Sequence, residues 1–282
     1  MRIIIFVPMS IKTIMPKAKK AVGAEMTFLE HLEELRWHII RSLASVALFG
    51  IVIFTNKEFV FDRIIFGPKW ETFPTYKFFC KILNIMCTPP QFMVQAFKVE
   101  EKFITHLKVS IILGIIISFP YIFWEIWKFI KPGLYQNERK AARGMVFVCS
   151  ALFLLGVLFG YYVISPFALN FLTGYELADT ISTPTLTSYV NNMAMYTVPT
   201  GIVFELPVVV YFLTKIGLIT PQFLKQYRKM AFVVILVMSA VITPPDVMTQ
   251  FLIGVPLYIL YEISIVISQR VVAQQEKEMA SA

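Results

Sequence analysis

Residues 201–213 read GIVFELPVVVYFL, and apart from Glu205 they are apolar with no helical or alternating period. The stretch lies in a longer block, Ala194–Leu213, with no Lys or Arg. Twenty helical residues rise about 30 Å, the thickness of a bilayer's hydrocarbon core. Water cannot satisfy backbone groups there, so an isolated apolar block of this length crosses as a helix. The rest of the chain fits. Of its 282 residues, 57% are hydrophobic and 16% charged, with a mean hydropathy of +0.68. A soluble domain holds about 25% charged residues.

Five more blocks follow the same logic: Ile39–Phe54, Val109–Trp127, Met145–Ile164, Met230–Ile242 and Met248–Ile267. The expectation is an all-α polytopic membrane protein with six transmembrane helices. The block Met230–Ile242 is short, about 20 Å as a helix, and ends at Pro244 and Pro245, which cannot continue one. Lys and Arg set the orientation. They crowd the connections 128–143 and 215–229 and are absent from 166–192. Both termini and the two basic connections are therefore expected in the cytoplasm. The connection Asn56–Lys108 carries eight Lys/Arg, but long connections cross largely regardless of charge. The expected organisation is a loose extension at 1–25, a membrane domain at 26–268 and a cytoplasmic tail at 269–282. Thr27 and Glu30 have capping-box spacing at the start of an amphipathic entry helix.

The net charge of +8 does not indicate nucleic acid, because the basic residues lie in short segments between apolar blocks. No phosphate-binding loop, H-E-x-x-H or G-x-S-x-G occurs, and no Cys/His metal spacing, so neither an enzyme nor a metal or other cofactor is expected. His31, His38 and His106 lie at helix ends and are expected in water. Trp124, Trp127, Tyr161 and Tyr162 read as an interfacial aromatic belt. Gly156 and Gly160 make a small-xxx-small pair, a weak signal for close helix contact. Cys149 lies in an apolar block and reads as packing. Cys80 and Cys87 would pair if their loop faces an oxidising compartment.

Glu205 then needs a reason. A charge at mid-bilayer costs about 2.5–3.5 kcal/mol on insertion scales. Such a residue faces a partner or a wet cavity, or is packed and hydrogen-bonded within the bundle. Gly201, one turn earlier, leaves room for something to approach. A proton-coupled small-solute carrier is the competing reading, since Pro199 and Pro207 interrupt this helix. The face of the helix offers no second titratable group for a relay. Glu125 and Glu262 lie near helix ends, where a carboxylate reaches water. A second acidic cluster, Glu30, Glu33 and Glu34 with Glu138, suits a cationic ligand, above all a guanidinium.

Four segments sharpen this. HLEELR (31–36), FIKPGLYQNER (129–139), FELPVVV (204–210) and TPPDVMTQ (243–250) resemble, in order and spacing, the motifs of the TatC family, the multispanning subunit of the twin-arginine protein translocase. The resemblance implies six transmembrane helices in a concave arrangement in the cell (inner) membrane. It implies binding of twin-arginine signal peptides of folded precursor proteins, and assembly with TatA- and TatB-type single-span subunits, in a larger complex with self-association. Export is then driven by the proton-motive force. By motif, Glu34 and Glu138 look like the carboxylates that bind the arginine pair, with Leu35 and Arg36 shaping the site. Glu205 looks like the acid that engages a partner's helix. Pro68 resembles a structural proline of the first outer loop, and Pro244, Pro245 and Asp246 complete the last motif structurally. Two positions depart from the pattern. Trp37 and His38 stand where basic residues often follow the first motif, and Glu125 stands where a Gln is common.

Overall fold

The computed structural model describes residues 28–84, 90, 92–130, 142–175, 183–243 and 247–280. Its α-helices of six residues or more are α1 (Phe28–Thr55), α2 (Pro74–Leu83), α3 (Glu101–Ile130), α4 (Ala142–Phe159), α5 (Ser165–Gly174), α6 (Leu186–Val203), α7 (Leu206–Lys215), α8 (Pro221–Gln226), α9 (Arg228–Ile242) and α10 (Val247–Ala280). Among the described residues the chain is helical apart from turns and one isolated parallel bridge between Gln95 and Thr185. Among the described residues, five stretches are long and apolar enough to cross a membrane: 31–55, 101–130, 144–174, 186–215 and 249–280. The short block is α9, with 15 residues. Residues 269–280, expected as a tail, extend α10 as continuous helix.

α1 packs antiparallel to α3, and α4 to α6, and glycines set how closely. A Cβ on Gly114 of α3 would lie 3.0 Å from the Val46 carbonyl oxygen and 3.1 Å from the Gly50 nitrogen of α1. The Gly156/Gly160 pair, weak as a sequence signal, makes a tight contact. A Cβ on Gly156 would lie 2.8 Å from Gly201 Cα, and one on Gly160 would lie 2.8 Å from Thr197 Cα. Gly201 therefore leaves room for α4 of the same chain, because Phe153 and Val157 fill the space beside it. Stacking of Phe119 on Phe153, at 3.6 Å between ring centroids, ties α3 to the same pair.

Several hydroxyls inside the spans bond to their own helix. Ser42, Ser110, Ser150, Thr200 and Ser239 each donate to the carbonyl four residues earlier, at 2.7–2.9 Å. Without water, this is the nearest acceptor a serine or threonine finds. Thr214 and Ser268 instead meet across α7 and α10 at 2.8 Å, both buried.

The connection between α1 and α3 is folded and pinned. The Tyr161 hydroxyl donates to the Ile64 carbonyl at 2.6 Å, Tyr189 to Ile65 at 2.8 Å, and Tyr76 to Pro68 at 2.6 Å. Thr75 donates to the Tyr162 carbonyl. Burial pushes the Tyr76 hydroxyl's pKa above its ordinary value. Tyr161 is thus a cross-link rather than a belt residue. Trp127 is buried against Phe212, whereas Trp124 is exposed as a belt residue would be. Of the connection expected over 166–192, residues 166–174 and 186–192 are helical, because α5 continues α4 and α6 begins at Leu186. Pro166 follows the widened turn Gly160–Ile164 that joins α4 to α5.

Candidate functional site

The first candidate group sits where α1 begins and α3 ends. Glu34 and Leu35 are half-buried and Arg36 is exposed. Glu34, His38 and Arg41 fall on one stripe of α1, at spacings of four and three. That stripe faces α3, so Glu34 does not lie on a freely solvated side. Glu138 lies outside the described residues.

Two expectations about this rim are corrected. Glu125 does not reach water but is buried on α3, and His38 is buried with it. His38 Nδ1 lies 2.6 Å from Glu125 Oε2, Lys128 Nζ donates to Glu125 Oε1 at 3.1 Å, and Arg41 Nη1 stands 3.7 Å from Oε2. The Tyr121 hydroxyl is beside the same carboxylate. Lys128 also lies over the Trp124 ring, 3.3 Å from its centroid. Glu125 is therefore already neutralised by its own chain and offers no free charge to an incoming cation. Pattern alone missed this cluster, since His38 and Glu125 are 87 residues apart. His106 is likewise not in open water: it stacks on Phe54 at 4.1 Å, and its Nε2 is buried without a partner.

The second candidate is Glu205. The helix breaks there: α6 ends at Val203 and α7 starts at Leu206, with Pro207 in its first turn. Proline supplies no N–H and its ring clashes with the carbonyl four residues back, here Val203. Glu205 lies ten residues before the end of the 186–215 span, about 15 Å along the axis. Both of its carboxylate oxygens are buried without a hydrogen-bond partner. The Cys149 thiol and the Phe153 backbone face it from α4, but neither completes a bond to it. The side chain does not cap α7 either.

Of the structural candidates, Pro68 is buried in the pinned connection. Pro244, Pro245, Asp246 and Cys87 lie outside the described residues, as do Thr27 and the 1–25 extension. Cys149 is buried and free, in keeping with a packing role. Among the described residues no three His, Cys, Asp or Glu side chains group as a metal site. An apolar cavity of about 400 Å³, lined by Ile65, Val109, Leu113, Val157, Met193 and Thr197 among others, lies toward the opposite end of α1 from Glu34.

Long apolar helices packed against one another define a multi-pass membrane protein. The profile described as "Sec-independent protein translocase protein (TatC)" matches residues 30–256. The chain belongs to the TatC family, a non-enzymatic transport-subunit family. It is 40% identical to the TatC protein of Blattabacterium sp., over 86% of this chain and 95% of that one. It is 38% identical to the TatC of Campylobacter jejuni, over 88% and 96%. A crystal structure of the twin-arginine translocase receptor TatC aligns with a TM-score of 0.66 at 33% identity, covering 86% of this chain and 99% of that one.

Proposed function

We propose that this chain is the receptor and assembly core of a twin-arginine translocase in the cell (inner) membrane. In this reading it spans six times, with α9 as the short fifth crossing and both termini cytoplasmic, in a cupped arrangement. Two guanidinium groups of a precursor's signal peptide dock on Glu34 and Glu138, with Leu35 and Arg36 shaping the site. Glu205 engages a polar group on the helix of a TatA- or TatB-type subunit, and copies of the complex associate for export driven by the proton-motive force. Pro68, Pro244, Pro245 and Asp246 hold the connections, and Cys80 pairs with Cys87.

The observation that carries the reading is the half-buried Glu34 on the α1 stripe that meets α3, at the rim where α3 ends. Eight residues lead from Ile130 to Glu138, a reach of at most about 29 Å. A guanidinium between two such carboxylates would gain bidentate, partly desolvated bonds, whereas an ammonium gains only point contacts. Family membership and the likeness to a twin-arginine translocase receptor support the same reading.

The test measures binding of a fluorescent twin-arginine peptide to the full chain in nanodiscs. Glu34→Ala with Glu138→Ala should weaken binding by about 2–5 kcal/mol, the usual effect of removing a desolvated charge partner. A Lys-Lys peptide should also bind more weakly. Wild-type affinity in the double variant refutes the site. Glu205→Ala should reduce co-purification of single-span subunits and spare peptide binding. Solute flux by the purified chain in liposomes, with Glu205-dependent pH sensitivity, would instead establish the carrier.

A further inference from the structure

We propose that the His38–Glu125 pair is a positioning device for signal recognition, a clamp that fixes the N-terminal turns of α1 against α3 and so holds Glu34 in register at the rim. The inference rests on Glu34 being a docking carboxylate, and deepens that reading.

The first observation is how little else holds α1. Its most apolar 18 residues are 11% buried, against at least 33% in each of the other four long apolar stretches. The helix leans on α3 and is otherwise open. Along that contact the mid-helix glycine approach at Gly50 and Gly114 fixes separation, but small residues set no rotational phase. The second observation is where phase is set. His38 and Glu125 are 7% and 1% exposed and meet at 2.6 Å, the most directional polar contact between the two helices. Phe129, one turn beyond Glu125, stacks on His31 at 4.3 Å and meets His38 edge-on at 6.1 Å. His31 and His38 lie three residues before and four residues after Glu34, on the same stripe. The docking carboxylate is thus bracketed by the two histidines that contact α3.

The third observation is electrostatic. Lys128 and Arg41 complete the shell of Glu125, so the clamp closes on itself. A buried carboxylate with this many donors has strong reason to keep its geometry, and removing one partner strands the others. An incoming guanidinium therefore meets Glu34 as the open acid on this stripe, while Glu125 is kept from competing as a decoy. The clamp contributes position and selectivity without touching the peptide.

The experiment uses the full chain in nanodiscs and reads two quantities: affinity for a synthetic twin-arginine peptide, and the distance between spin labels at Glu33→Cys and Ile130→Cys on a Cys149→Ser background. Both labelled positions are exposed. His38→Ala and Glu125→Ala should each weaken peptide binding on the order of tenfold, within the usual range for coupling between sites, and broaden the 33–130 distance distribution. The double variant His38→Gln with Glu125→Gln keeps a neutral hydrogen bond and should restore both readouts, which a general loss of folding would not allow. Unchanged affinity in His38→Ala and Glu125→Ala, with Glu34→Ala still impaired, overturns the clamp and leaves the docking site standing. Weaker binding with an unaltered distance distribution also overturns it, since the pair would then act without positioning. Unchanged binding in Glu34→Ala removes the docking site and the clamp together. If the double Gln variant fails to recover either readout while eluting as a monodisperse protein, the pairing itself is refuted.

Discussion

Replacing Gly156 by alanine adds one methyl group at a close crossing of α4 and α6. Its Cβ would stand 2.8 Å from Gly201 Cα and 2.8 Å from both Cβ and Cγ of Phe204, where ordinary contact begins at 3.4 Å. One obstacle is backbone and the other is a buried aromatic stem, so neither yields by rotating a flexible side chain. The helices must part, at an overpacking cost of about 1–3 kcal/mol. Alanine's higher helix propensity offsets up to about 1 kcal/mol of that. Gly144 supplies the correction: it is on the same helix, it is exposed, and a Cβ there meets nothing within 4 Å. The difference between Gly156→Ala and Gly144→Ala therefore isolates packing, and should be about 1–3 kcal/mol. Reversible unfolding in mixed detergent micelles, followed by tryptophan fluorescence, measures it. The parting would also shift the Phe204–Glu205 turn, so partner co-purification should fall with Gly156→Ala and not with Gly144→Ala. Equal stabilities for the two variants would refute the close-packed crossing.

Three further outcomes are expected. Glu205→Met should stabilise the isolated chain by about 1–3 kcal/mol, because it removes a buried carboxyl group with no partner, while abolishing co-purification of single-span subunits; paired unfolding and pull-down measurements check the trade. Tyr76→Phe deletes the donor to the Pro68 carbonyl and should destabilise by about 0.5–1.5 kcal/mol, read in the same unfolding assay. Glu101 accepts from the backbone N–H groups of Thr187, Phe97 and Lys98; Glu101→Ala should speed hydrogen exchange at those three amides and leave Ser239, on α9, unchanged.

Much of the architecture is legible in the sequence because a bilayer demands long apolar runs. Ala194–Leu213 and its companions announce helices by length alone, and Pro207 beside Glu205 announces the break that the structure places between α6 and α7. The interior of the long connection after α1 is not legible in that way. Its order comes from single hydroxyls on Tyr76, Tyr161 and Tyr189 reaching carbonyls 8, 97 and 124 residues away, and no local period encodes such pairs. The same limit hid the rim cluster. His38 and Glu125 each look like a solvated residue near a helix end. Only the antiparallel register of α1 on α3 reveals that two separate departures from the family's pattern are one contact.

The rim and the mid-depth acid then differ in a way that bears on their roles. Glu125, fully buried, is surrounded by donors from two helices, so its charge is spent inside the chain. Glu205 has two buried oxygens and no bond to either. Ser118, Trp127 and His106 each leave one polar atom unmatched, but among the described residues Glu205 is the carboxyl group left so. The helix break supplies what holds it there. At the turn the Glu205 carbonyl accepts from Val208 and Val209, while its side chain has no partner. A chain of this kind gains nothing from Glu205 on its own and carries a cost at that position. A polar group from outside that completed the carboxyl's hydrogen bonds would remove that cost, and this is the physical ground for the proposal that a partner helix docks at the α6–α7 turn.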